Sequence, residues 1–446
     1  MKHSLAFSAL LVGAFFPISS TARSWTLSDC INYAQTHNIT LLKSAVQHQS
    51  AIEDLLQSKA ELKPSVSAQT SQNLSFNPWP ETGSYYVQGS KVQSSVDKFF
   101  YNGSYGLNLN WTVWNGNKTR NQTVLNELAA RKIQIDSAAT ATTLVEQITQ
   151  LYVEILYTQE AVQVSKSNLK TSQENYKQGL EMYKVGKLSK ADLSQLEAQE
   201  AQDQFNVIQA QSNVLEYKRQ LKQLLQITSQ DEFDVATPTT TDAMALETIP
   251  SVDSVYGAAV EQRPEIKSAL AGIAESDVNL KIAKAGKLPT VSLGASASAN
   301  TTSMSDNAWV KQLKNNFVLG AGVTVSIPLF DQRKTKTAVN KAMLSKQSYQ
   351  LDLQDAKNSI YSNIESYWLK AYNNQNKFKA AQVSTKSAKS SYNLLSEQFH
   401  LGLKNIVELM TGKSNLVQAE QNELESKYLA ILNIKMLNFY KSGIIK

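Results

Sequence analysis

The side chains able to do chemistry in this 446-residue chain are few and poorly spaced for it. Its four histidines, His3, His37, His48 and His400, form no metal-ligand spacing. Cys30 is the single cysteine, which excludes an intrachain disulfide framework. Neither a phosphate-binding glycine loop nor a Gly-x-Ser-x-Gly elbow occurs. Acid pairs such as Glu53-Asp54 lie on helical stretches dense in Lys and Gln, the pattern of a solvated face. The expectation is therefore no catalytic residue, no metal site and no cofactor. What stands out instead is a pair of carboxylates, Asp192 and Glu408, each six residues after a glycine, with Lys404 one helical turn before the second. Their chemistry is electrostatic. A carboxylate in a helix's first turn favours the helix dipole, and copies of it around a narrow opening favour cations.

Both carboxylates sit at matching places in a chain that repeats itself. Tyr183-Lys-Val-Gly186 with Asp192-Leu193 corresponds to Phe399-His-Leu-Gly402 with Glu408-Leu409 at an offset of 216 residues. The same offset carries Trp111-Thr-Val-Trp114 onto Ile327-Pro-Leu-Phe330, and Pro64-Ser-Val-Ser67 matches Pro289-Thr-Val-Ser292 at an offset of 225. Each half reads as a short helix, two alternating β-segments and a helical hairpin, the signature of an internal duplication.

The β-segments alternate apolar and small polar residues. Tyr101, Tyr105, Leu107, Leu109, Trp111 and Val113 oppose Asn102, Ser104, Gly106, Asn108, Asn110 and Thr112. Leu319, Ala321, Val323, Val325 and Ile327 oppose Gly320, Gly322, Thr324 and Ser326, with Val318 as an exception. Segments near 64–77 and 289–300 follow the same rule. An apolar face against a face free of Lys and Glu suits a transmembrane barrel strand, with lipid outside and water inside. Four strands cannot close a barrel, because an open edge in lipid leaves backbone groups unpaired. Oligomerisation is therefore expected. Three copies give twelve strands and two give eight, and the residues alone select neither.

The helices set the scale. Residues 117–178 and 329–401 contain neither Gly nor Pro, which predicts uninterrupted rods of roughly 90 to 110 Å. Along the first, Ile148, Ile155, Val162, Leu169, Tyr176 and Tyr183 recur every seven residues, the period of a left-handed supercoil.

Lys2, His3 and the apolar run Leu5 to Ile18, followed by Ser20-Thr21-Ala22, predict a secretory signal peptide over 1–22. Cys30 lies on the apolar stripe of Leu27, Ile31 and Ala34, not at a lipid-attachment site. Beyond the signal no apolar run is long enough for a transmembrane helix. The expected domains are a first repeat over 23–228, with strands near 64–77 and 99–114 and a tip near 183–192; a polar crossover over 229–252; and a second repeat over 253–446, with strands near 289–300 and 315–329 and a tip near 399–408. A net charge of +6, scattered among acids along helices, argues for solvated faces and no nucleic acid.

The duplicated strand-strand-hairpin order, the two tips and Arg263-Pro264-Glu265-Ile266 together resemble the TolC family of outer-membrane efflux proteins, over nearly the whole chain. The resemblance implies an α+β membrane protein: a trimeric twelve-stranded β-barrel in the outer membrane, four strands per chain, continued by an α-helical coiled-coil barrel through the periplasm. It also implies a passive exit duct that docks a periplasmic adaptor (membrane fusion) protein and, through it, an inner-membrane RND, ABC or MFS-type transporter. The tips, with Tyr183, Gly186 and Gly402, would contact the adaptor. The family's gating aromatic, basic and acidic positions fall on Phe399, Lys404 and Glu408, and its first-hairpin acid on Asp192. The pattern departs in four places. Phe399 lacks a tyrosine hydroxyl, Lys404 replaces an arginine and lacks its planar bidentate contacts, Thr411 replaces a second acid, and Ala191 replaces a hydroxyl residue. The competing reading is a non-conducting periplasmic coiled-coil adaptor or envelope scaffold, but the Gly-rich modules of an adaptor are not found.

Overall fold

The computed structural model describes residues 24–79, 83–87, 90–94, 97–228 and 233–445. The expected signal peptide, and Asp231 and Glu232 of the crossover, lie outside these residues. Among the described residues the elements run β1 (Ser24–Trp25), α1 (Leu27–His37), α2 (Ile39–Ala60), β2 (Ser65–Phe76), β3 (Gly83–Val87), β4 (Ser90–Ser94), β5 (Phe99–Trp114), α3 (Lys118–Lys184) and α4 (Lys190–Leu225). They continue with β6 (Asp234–Val235), α5 (Asp242–Ala245), α6 (Val252–Gln262), α7 (Pro264–Ala285), β7 (Thr290–Thr302), α8 (Trp309–Asn315), β8 (Val318–Ser326), α9 (Lys334–His400) and α10 (Ile406–Ser442). No helix among them is long and apolar enough to cross a membrane. The long arms α3 and α9 each hold 67 residues, about 100 Å of helix.

The chain divides into two compact units. One, residues 43–140 and 259–362, holds the principal sheet, an antiparallel sheet in the order β2-β5-β7-β8. Its register places like with like. Val66, Leu109, Ala295 and Ala321 form one row, and Ala68, Leu107, Ala297 and Leu319 form another. On the opposite face Ser67, Asn108, Ser296 and Gly320 are aligned. Because side chains alternate with period two, this register keeps these apolar rows on one face, with Val318, opposite Ser298, and Phe100, opposite Ser75, on the other. Val66, Leu107, Leu319, Val323 and Val325 are exposed there. β8 stops short of the outer end of β7, and α8 completes that edge with side chains. Gln312 Oε1 accepts from the Thr302 amide at 2.8 Å, and Asn316 Nδ2 donates to the Asn300 carbonyl at 2.7 Å. Neither α8 nor the β3–β4 hairpin was anticipated from the alternation pattern.

The other unit, residues 24–42, 141–258 and 363–445 of the described chain, is helical. Its largest core joins Ile148, Tyr152, Ile155, Leu221, Leu225 and Met436 with Cys30 and Ala34. Burial pushes the Cys30 thiol up to about 12, which leaves it unreactive as a nucleophile. The seven-residue seam of α3 is buried at Ile148, Ile155 and Val162, but nearer the tip the buried positions become Ser172, Asn175 and Gly179. The crossover is not a bare linker. β6 pairs in parallel with β1, Ser24 opposite Asp234 and Trp25 opposite Val235. Ala245 of α5 packs with Phe378, Ala430 and Ile431, while Gln375 Nε2 donates to the carbonyls of Ala245 and Glu247.

Candidate functional site at the paired hairpin tips

Both tips are built by the same backbone device. Gly186 has φ +71° and Gly402 φ +76°, the left-handed conformation that ends a helix without a Cβ penalty. The amide of each glycine donates to the carbonyl three residues back, Tyr183 or Phe399, at 2.9 Å. The next amide, from Lys187 or Leu403, reaches Met182 or Gln398 at 2.8 Å. This pair of bonds is the Schellman motif. Nothing lies within 4 Å of the Cβ that either glycine lacks. Gly186→Ala and Gly402→Ala should therefore each cost about 1–2 kcal/mol through backbone strain alone. Thermal unfolding of the two variants checks this, and an unaltered midpoint in both would refute it.

The return helices start alike too. Ser189 Oγ accepts from the Asp192 amide at 3.1 Å, and Asn405 Oδ1 accepts from the Glu408 amide at 2.9 Å. Glu408 closes a capping box by accepting from the Asn405 amide, and Asp192 accepts from the Ser189 hydroxyl at 2.7 Å. Each carboxylate thus satisfies the start of its own helix. Just above, the hairpins close by complementary exchange. Leu196 meets Gly179 in the first and Leu395 meets Gly412 in the second, the glycine having moved to the other arm.

The candidate residues differ in their surroundings. Lys404 Nζ lies 2.5 Å from Glu408 Oε1, and this pair with the cap holds the Glu408 carboxyl below the usual glutamate range. Both partners belong to the same turn of chain and are partly exposed, so the pair ties Glu408 locally and bridges no two hairpins. Phe399 is only 2% exposed, in a tip core with Leu196, Tyr392, Ile406, Leu409 and Leu416. Its repeat counterpart Tyr183 is 40% exposed. Val185, Leu401, Leu403 and Val407 are also exposed at the tips. Thr411, at the family's second acidic position, only donates to the Val407 carbonyl of its own helix.

Above that core lies a buried polar cluster absent from the sequence reading. Lys413 Nζ, on α10, donates to the Asn168 carbonyl at 3.1 Å and also to Ser172 Oγ and Asp203 Oδ2. Lys413 and Asp203 are 2% and 3% exposed. Burial pushes the Lys413 ammonium below the usual lysine range, against the opposing pull of Asp203. Gln199 Nε2 holds the other Asp203 oxygen at 3.2 Å. Two further bonds flank the cluster: Asn168 Nδ2 to Glu420 Oε2 at 3.1 Å, and Asn175 Nδ2 to the Tyr392 hydroxyl at 2.8 Å. Comparison of the repeats holds a signal for it, because the positions 216 residues from Asp203, Ser172 and Lys413 are Ala419, Ala388 and Glu197.

Residues 30–225 and 255–434 match the sequence profile of the family described as outer membrane efflux protein. The outer membrane protein TolC of Vibrio cholerae is 23% identical, covering 94% of this chain and 91% of that protein. The outer membrane efflux protein BepC of Brucella suis is 20% identical over 97% of this chain and 90% of its own length. In three dimensions the chain resembles the outer membrane protein VceC of Vibrio cholerae with a TM-score of 0.75, at 15% identity, covering 94% of this chain and 95% of that one.

Proposed function

The chain belongs to the outer membrane efflux protein family, and from that premise we propose that its paired tips form the gated periplasmic mouth of a homotrimeric exit duct. It is an outer-membrane channel protein, and a non-conducting adaptor or scaffold is not favoured. The observation that carries the reading further is the register of the sheet, which keeps one apolar exposed face against one face of Ser, Asn, Gly and Thr. Three four-stranded sheets joined edge to edge make a twelve-stranded barrel with lipid on the apolar side and water on the other. The duct conducts passively and carries out no chemistry. Its energy comes from an inner-membrane RND, ABC or MFS-type transporter, reached through a periplasmic adaptor protein. Tyr183, Val185, Leu401 and Leu403, around Gly186 and Gly402, offer that adaptor an apolar contact.

At the mouth, Glu408 with Asp192 as a weaker contributor supplies a ring of like charge, and Lys404 relieves the repulsion between copies. Such a ring favours cations and binds trivalent metal ions. The purified protein should migrate as a heat-modifiable trimer and conduct in planar bilayers, and a monomer without conductance would overturn the reading. Glu408→Gln should lower cation selectivity and weaken block by a trivalent ion. Unchanged selectivity and block would leave Glu408 with its capping role only. The neighbouring Lys404 and the cap hold the carboxyl below the ordinary glutamate range. Selectivity in the parent protein should therefore persist as pH falls through that range and fade below it.

A further inference from the structure

We infer that Lys413 and Asp203 are the positioning residues that fix the second hairpin's register on the first, and thereby keep the mouth of the unpartnered duct constricted. This rests on the gated-duct reading and names the contact that does the gating. The first hairpin supplies Asn168 and Ser172 from α3 and Asp203 from α4, and the second supplies Lys413 from α10. An ammonium has three donors, and here each has an acceptor. A slide of α10 by part of a turn separates all three at once, strands the buried Lys413 ammonium and leaves Asp203 with Ser172 and Gln199 but no counter-charge. The apolar tip contacts of Phe399, Leu409 and Leu196 are non-directional and tolerate such a slide far better. The register is consequently a discrete choice set by the polar cluster.

Duplication does not explain the cluster. Caps and turn glycines recur at an offset of 216, whereas the counterparts of Asp203 and Ser172 are alanines and that of Lys413 is an acid. The counterpart alanines, Ala388 and Ala419, serve the same hairpin fold, with Ala419 buried. A helical hairpin of this kind therefore has no need of an ion pair at these positions. Replacing a buried pair by apolar residues of similar volume is often neutral for stability, and what such pairs secure in the best-attested cases is register. Lys404 and Glu408 cannot do this task within one chain, since they pair inside a single turn.

The test uses the full-length protein in planar bilayers. Asp203→Leu/Lys413→Met removes both charges at similar volume. Its resting conductance should rise about tenfold or more, the response of a gate equilibrium to a modest loss of bias toward one state. Its helix content and the temperature at which the trimer dissociates should stay at the parent values, a combination that a purely structural role does not produce. Asp203→Asn, which keeps the shape and an acceptor, is the second variant and should give a smaller rise. If the parent protein conducts and both variants match it, the inference is overturned and the duct reading stands. Inserted trimers that never conduct, parent and variants alike, would overturn the duct reading and the inference with it. A variant that conducts more only because its trimers come apart at lower temperature also counts against a positioning role.

Discussion

Leu109→Arg and Val323→Arg chains should fail to insert efficiently into lipid vesicles, while Asn108→Arg and Thr324→Arg chains should insert like the parent. Leu109 lies in the row with Val66, Ala295 and Ala321, and Val323 pairs with Leu293 on the same face. Arginine on the lipid side of a barrel strand costs about 2–4 kcal/mol at the membrane midplane and less toward the interfaces. In a trimer the cost is incurred three times. Asn108 and Thr324 stand one residue away along their strands, opposite Ser296 and Ser292, on the face assigned to water. The measurement is the fraction of heat-modifiable trimer recovered with vesicles. Equal recovery for all four variants would remove the assignment of the two faces, and with it the main physical support for a barrel.

The contrast within these strands explains why they were legible in the sequence. A period of two over ten or more residues is a local property, written residue by residue at Leu107, Leu109 and Trp111, and the register aligns the rows that the alternation defines. Turn chemistry is local as well, so Gly186 and Gly402 mark the tips in the sequence itself. Elements held by a few distant contacts were not legible. α8 is seven residues long and is fastened by Gln312 and Asn316 to the backbone of β7. β6 is two residues paired with Trp25 and its neighbour, some two hundred positions away. The seam of α3 holds as far as Val162; its seven-residue spacing continues through Leu169, Tyr176 and Tyr183, but none of these is buried, and burial passes instead to Ser172, Asn175 and Gly179, which carry no apolar mark in the sequence. Lys413 and Asp203 read as solvated charges on helices rich in Gln and Lys, because burial of a charge is a tertiary fact with no local mark.

Phe399→Ala should lower the local stability of the second tip by about 3–5 kcal/mol, whereas Tyr183→Ala should cost less than about 1 kcal/mol. The two residues are equivalent in the repeat and alike in chemistry, so their positions in sequence predict equal effects. Their environments do not. Phe399 is enclosed by Leu196 of the first hairpin and by Tyr392, Ile406, Leu409 and Leu416 of its own, so removing its ring leaves a cavity at the junction of both hairpins. Tyr183 is 40% exposed, and its removal exposes surface that water already reaches. Hydrogen exchange across residues 392–416 of the assembled protein reports the local opening free energy, and limited proteolysis at the tips gives a second reading. A gate made of an exposed aromatic ring requires the opposite pattern: Phe399→Ala would raise conductance while leaving exchange at residues 392–416 unchanged. Faster exchange after Phe399→Ala but not after Tyr183→Ala would instead place the aromatic ring in the wall of the tip, and leave the opening itself to Glu408 and the register of the two hairpins.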